Sequence, residues 1–103
     1  MSKQTVTWSG YDFTVYPPST TWNDVGGLYI FSGTNHQGKW VAYYIGKAES
    51  FQTRLPSHER WNDAVRLGAT HIHAMTVSTE SERQRIEAEL IHNFQPQLNT
   101  QLR

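Results

Sequence analysis

Cysteine is absent from these 103 residues, which excludes both a disulfide framework and a zinc–thiolate site. No apolar run approaches the length that crosses a bilayer, and the polar stretch 1–10 has no apolar signal core. A soluble, cytoplasmic chain with no membrane partner is the expectation. Net charge is missing as well, since nine Lys and Arg balance nine Asp and Glu. That balance argues against avid, sequence-independent nucleic-acid binding, which depends on clustered cations. There is no repeat and no low-complexity tract, and the length admits one domain with a single modest core.

The charges present are unevenly placed. Lys39, Lys47, Arg54, Arg60 and Arg66 outnumber Glu49, Glu59 and Asp63 in one segment, whereas 80–89 leans acidic. A basic face beside an acidic helix suits phosphate binding around a metal, and it also suits an ordinary surface. Trp8, Trp22, Trp40 and Trp61 read as core, with stacking on bases the lesser alternative for Trp61.

Val6 to Trp8 and Tyr11 to Tyr16 alternate around a Ser9-Gly10 turn, predicting a β-hairpin that Pro17-Pro18 ends. Gly27 to Ser32 and Trp40 to Ile45 are two further strands joined by the turn formers of 33–38. Leu28, Ile30, Val41, Tyr43 and Ile45 should share a buried face. The register that achieves this pairs Leu28 with Ile45 and Ile30 with Tyr43, and sets Tyr29 beside Tyr44 on the other face. A short helix is predicted from about Ser50, then one through Trp61 to Leu67 that stops at Gly68. Thr70 to Val77 is a third strand of this part, and Thr79-x-x-Glu82 opens a last helix to about Asn93.

On that last helix Ile86, Leu90, Ile91 and Phe94 form an apolar stripe with Glu87 inside it, while Glu89 projects to solvent. A carboxylate there needs a partner. Arg83, one turn back, is one candidate, and a hard dication, Mg²⁺ or Mn²⁺, is the other. His71 and His73 share a strand face, as transition-metal ligands do. Without an evident third ligand, solvent-facing side chains are the expectation.

Five pieces stand in one order: Gly27-Leu28-Tyr29, Tyr44-Ile45-Gly46-Lys47, Arg54 with His58, Glu87, and Pro96 to Asn99. Together they resemble the GIY-YIG nuclease domain family, from about Gly26 to Asn99. The nearest pattern is the family's bacterial excision-repair branch, where an arginine likewise follows the Tyr-Ile/Val-Gly-Lys-Ala run. Leu28 replaces the usual isoleucine. Pro56 disfavours helix at Leu55, so Arg54 and His58 need not share one helical face.

The resemblance implies an α+β GIY-YIG fold, a small three-stranded antiparallel sheet flanked by helices (β-β-α-α-β-α). The domain would span 25–103, with 1–24 an extra N-terminal hairpin packed on it. It implies a metal-dependent endonuclease that hydrolyses phosphodiester bonds in DNA. Glu87 would hold Mg²⁺ or Mn²⁺, and Arg54 would bind the scissile phosphate, for which its planar fork is suited. Tyr29, helped by Tyr44 and His58, would activate water. A phenol needs a nearby positive charge to ionise, from Lys47, Arg54 or the metal, and Lys47 alternatively contacts DNA phosphate only. Gly27 and Gly46 would permit close backbone approach, and Asn99 would be a structural hydrogen-bonder. With no recognisable targeting domain, specificity would come from substrate structure, a homodimer or a separate protein. An inactive nucleic-acid-binding module and a protein-interaction domain are the alternatives.

Overall fold

Alternation in the N-terminal segment produces the hairpin β1 (Thr5–Trp8) and β2 (Tyr11–Tyr16). Its two-residue turn places Ser9 and Gly10 at φ 54° and 87°, the doubly left-handed turn that matches strand twist. The computed structural model describes residues 4–100, so the outermost residues of both expected segments, 1–3 and 101–103, lie outside the described residues. Three more strands follow, β3 (Gly27–Thr34), β4 (Trp40–Ala48) and β5 (His71–Thr76). Helices α1 (Phe51–Arg54) and α2 (Trp61–Leu67) separate β4 from β5, and α3 (Glu80–Phe94) and the one-turn α4 (Gln97–Thr100) follow. The expected element order holds, with α4 in addition.

The hairpin does not sit on a three-stranded sheet but extends it. β2 pairs antiparallel with β5, Thr14 opposite Ala74, and gives one five-stranded antiparallel sheet ordered β1-β2-β5-β3-β4.

The β3–β4 register departs from expectation by two residues. Ile30 faces Ile45, Tyr29 faces Gly46 and Phe31 faces Tyr44. An even offset keeps the faces, so Leu28, Ile30 and Ile45 stay together and Tyr29 and Tyr44 share the other side. The pairing is set from the turn. Asn35 Oδ1 accepts from the backbone N–H groups of Gln37 and Lys39, and the strands begin there with Thr34 opposite Trp40. Between that end and the Tyr29 end, Tyr43 is left over as a bulge. The bulge reverses the alternation of β4. Trp40 and Ala42, not Val41 and Tyr43, join the Leu28 face, and Tyr43 and Tyr44 both pack on the Tyr29 face.

Each face therefore has its own core. Tyr29, Phe31, Ile72 and Ala74 pack under α1, α2 and Trp22. Leu28, Ile30 and Ile45 pack against Ile86 and Leu90 of α3 and against Trp8 and Phe13 of the hairpin. Trp61 is half-buried, edge-on to Phe31 with ring centroids 5.0 Å apart, as a core reading requires. Thr79 Oγ1 accepts from Glu82 N–H and caps α3, and Gln95 ends it in a left-handed conformation at φ 46°. Glu89 is not solvated surface: it accepts from Tyr11 O–H at 2.8 Å, because the hairpin covers that side of α3.

His71 and His73 share a face, but His73 is fully buried instead of solvent-facing, because Trp8 and Trp40 close over it. Trp8 Nε1–H donates to His73 Nδ1 at 2.9 Å, so the ring's proton sits on Nε2, which has no partner among the described residues. Burial, then the nearby His71, lowers its pKa from 6.5 to about 4. An unfolded chain takes up that proton below pH 6.5 while the folded chain refuses it until about pH 4. The resulting stability is complete above 6.5 and is lost progressively as pH falls to 4, a loss of roughly 3 kcal/mol at most. Denaturation midpoints measured from pH 7 to 4.5 should fall accordingly. In His73→Gln, which keeps an acceptor for Trp8 but does not titrate, the fall should be shallower by about one proton; an unchanged slope would contradict the burial account.

Candidate active site

Tyr29 is the most confined of the candidate side chains, 1% exposed on the interior strand next to the edge strand β4. Its ring lies across β4, and only a glycine opposite allows this: a Cβ on Gly46 would collide with the Tyr29 hydroxyl and ring. Gly27 is similarly constrained by the Met75 carbonyl of β5 and the Phe51 ring. Tyr44 lies beside Tyr29 with centroids 6.3 Å apart and stacks on Phe31.

A buried phenol needs a partner, and His58 supplies it at 2.7 Å. Pro56 ends helical structure after Arg54, and the loop between α1 and α2 returns His58 to the sheet instead of exposing it on a helix. Only 7% exposed, it packs against the rings of Tyr29, Phe31 and Tyr44. Its Nδ1 accepts from Arg60 backbone N–H at 3.0 Å, so the proton of the neutral ring is on Nε2 and is donated to Tyr29 Oη. The Tyr29 proton is thereby left to point elsewhere. Burial first, and then Arg54, lower the His58 pKa to about 4, which keeps the ring neutral near neutral pH. Burial likewise pushes the Tyr29 phenol well above its ordinary value; Tyr44 adds to the shift and Arg54 opposes it. Tyr44 is raised by burial and lowered by the same guanidinium.

Arg54, at the end of α1, is thus the positive charge that acts on both phenols. Its fork is taken up by Glu59, Nη1 to Oε1 and Nη2 to Oε2, both 2.8 Å. This bidentate pair raises Arg54 and lowers Glu59. Glu59 is absent from any sequence pattern, because a five-residue contact across a broken helix has no periodic signature. Lys47 is not the charge beside Tyr29. Paired with Leu28, it points to the α3 side and bonds Glu80 at 2.7 Å, which raises its pKa.

Glu87 does not pair with Arg83. Arg83 turns away, donating to Val77 O at 2.8 Å and to Glu80 at 3.3 Å. Glu87 is half-buried; burial raises its pKa, and the Lys47 charge and backbone N–H oppose the rise. It has no ion-pair partner among the described residues, although its charge reaches both Tyr29 and Tyr44. A lone hard-oxygen ligand in this state fits Mg²⁺ or Mn²⁺, since Mg²⁺ binds through one or two carboxylates and keeps several waters. No group of three or more acidic, His or Cys ligands exists among the described residues.

Asn99 grips β4 from outside, accepting from Ile45 N–H at 2.8 Å and donating to Ile45 O at 2.9 Å. It does what a sixth strand would do for that edge. Because Tyr29 occupies the space a Gly46 side chain would take, Gly46→Ala should destabilise the chain by about 1–3 kcal/mol in urea denaturation. It should also raise the His58 pKa, followed by NMR, as the Tyr29 contact loosens. A variant that matches wild type in both measurements would rule out the close approach.

No family model and no curated protein sequence matches the chain. Solved structures do. The GIY-YIG N-terminal endonuclease domain of UvrC from Thermotoga maritima, bound to its catalytic divalent cation magnesium, is 29% identical with a TM-score of 0.59, over 74% of this chain and 84% of that one. A point mutant of the same domain, bound to its catalytic divalent cation, is 30% identical with a TM-score of 0.58, over 74% and 83%. Similarity at that level over most of a domain, joined to the tyrosine, glycine and helix geometry above, shows that the chain belongs to the GIY-YIG family of nuclease domains.

Proposed function

We propose that this chain is an endonuclease that hydrolyses DNA phosphodiester bonds with Mg²⁺ or Mn²⁺ as cofactor. One observation carries the reading: a confined tyrosine hydroxyl, oriented by a neutral histidine, lies within reach of the Arg54 charge and of the Glu87 carboxylate. The catalytic divalent cation of the UvrC domain supports it. Glu87 would hold the cation, which when bound supplies Lewis-acid stabilisation of phosphate charge.

The chain's own residues divide the remaining work. Arg54 grips a non-bridging phosphate oxygen pair and stabilises the charge that builds there. To do so it exchanges the Glu59 carboxylate for the phosphate. Tyr29, once its own phenolic proton has passed to solvent, orients the attacking water and takes a proton from it as phenolate. His58 donates Nε2–H to that oxygen throughout, so it steadies the phenolate and does not itself remove a proton. Tyr44 flanks the same position, and the Asn99 clamp holds β4 in place beneath it.

Supercoiled plasmid should be nicked in Mg²⁺ or Mn²⁺, and the nicking should vanish with EDTA and in Glu87→Ala. Nicking that survives Glu87→Ala would assign the activity elsewhere, and an inert wild type on duplex, branched and single-stranded substrates would favour a binding module. A base with a raised pKa gains active fraction as pH rises, so log rate should climb through pH 7–9. A rate that is already flat through that range, having levelled off above about pH 4, would make His58 the base. Glu59→Gln, by releasing Arg54, should lower KM for DNA several-fold while kcat changes little.

A further inference from the structure

A cavity of about 330 Å³ opens where the end of β2, the 17–25 connection, the start of α1 and β5 meet. Tyr16, Trp22 and Phe51 form an aromatic wall, with Trp22 centroids 4.9 Å from Tyr16 and 5.6 Å from Phe51. Thr21, Asn23 and Thr76 stand exposed on the rim. Among the described lining residues there is no Asp, Glu, Lys, Arg or His.

We propose that this cavity takes one unpaired nucleobase of the strand being cut. Four observations select that guest. The volume lies at the small end of ligand sites, enough for one flat group. The aromatic wall offers stacking, and the hydroxyls and amide of the rim offer neutral donors and acceptors for a base edge. A lining without charge suits a base and not a phosphate. The position is the fourth. Ala74, in the cavity lining, is the β5 partner of Tyr29, and Phe51 lies three residues before Arg54 on α1. With neighbouring strands about 4.8 Å apart, the cavity floor lies two strands, roughly 10 Å, from Tyr44 on β4. A strand whose phosphate sits on Arg54 can reach it with a nearby base.

The proposal rests on the nuclease reading for its substrate, yet its test needs no cleavage. Metal-free protein is titrated with thymidine 5′-monophosphate, with 2′-deoxyribose 5-phosphate and with N-acetyltyrosine amide, followed by amide and indole NMR shifts. The nucleotide should move Thr21, Asn23, Thr76 and the Trp22 indole, and the abasic sugar phosphate should not. Thr76→Trp and, from the opposite rim, Thr21→Trp should weaken the nucleotide effect about tenfold or more, as loss of one stacked base implies. They should leave the Tyr29 and His58 signals in place.

Shifts common to nucleotide and sugar phosphate, or no shifts at the cavity, would overturn the proposal. Equal or larger shifts with the tyrosine amide would assign the cavity to peptide. Plasmid nicking without base-dependent shifts removes the cavity proposal alone. Base-dependent shifts in a chain that never nicks remove the nuclease reading alone.

Discussion

The Tyr29 ring laid over Gly46 is the contact on which the site's arrangement depends. A large aromatic on an interior strand would ordinarily point straight into its core. Here the missing Cβ lets the ring lie along the sheet toward the outer strand, so the hydroxyl approaches the edge while the ring stays buried. That hydroxyl then requires a polar partner in a dry place, and the requirement fixes the loop carrying His58. The Arg60 N–H on the far side of the imidazole fixes its tautomer. Each step removes a freedom: glycine sets the ring, the ring sets the histidine, and the backbone sets which nitrogen carries the proton.

The edge strand explains how groups from both faces of the sheet meet. Helix α3 packs on the face opposite Tyr29, so Glu87 belongs to the wrong side if the sheet is taken as a wall. Ile45 and Lys47, two residues apart, turn their backbone groups outward from β4 in the same direction. Asn99 takes the first, and the second lies close enough to the Glu87 carboxylate to oppose the rise of its pKa. Asn99 thus covers part of an edge that would otherwise offer itself to another strand. The Glu87 charge still reaches the buried Tyr29 hydroxyl past that edge. The candidate site is thus grouped around an edge, not on one face.

Much of this was legible because it is periodic. Period two placed Tyr29 and Tyr44 together, and period 3.6 placed Glu87 inside the Ile86–Leu90 stripe. What was not legible depends on contacts between distant segments or on breaks in period. The Tyr43 bulge reversed the faces of Val41 and Ala42, and no propensity marks a bulge in so aromatic a strand. Glu89 looked solvated on the helix alone because the hairpin that covers it lies some eighty residues earlier in the chain. His73 looked exposed for the same reason, since its cover comes from Trp8. Pro56 correctly announced the end of a helix, but a break says nothing about where the chain goes next. Only the unmet hydroxyl of Tyr29 decides that His58 returns to the sheet.

The charge balance acquires a sharper meaning once the side chains are placed. Arg54 is held by Glu59, Lys47 by Glu80, Arg60 and Arg66 by Asp63, and Arg85 by Glu82. A phosphate that binds Arg54 must displace a carboxylate, so the gain is the difference between two bidentate pairs and not the full strength of one. Counterion release, the usual engine of DNA affinity, is then weak for the described residues, because few unpaired cations stand among them. A chain of this kind must hold its substrate by means other than a basic surface. On the proposed reading, a cation at Glu87 would add positive charge at one point, and the uncharged aromatic cavity beside α1 would add stacking that salt does not screen. Binding built in that way would discriminate by local distortion of the strand, since only an unstacked base can leave the helix to be held.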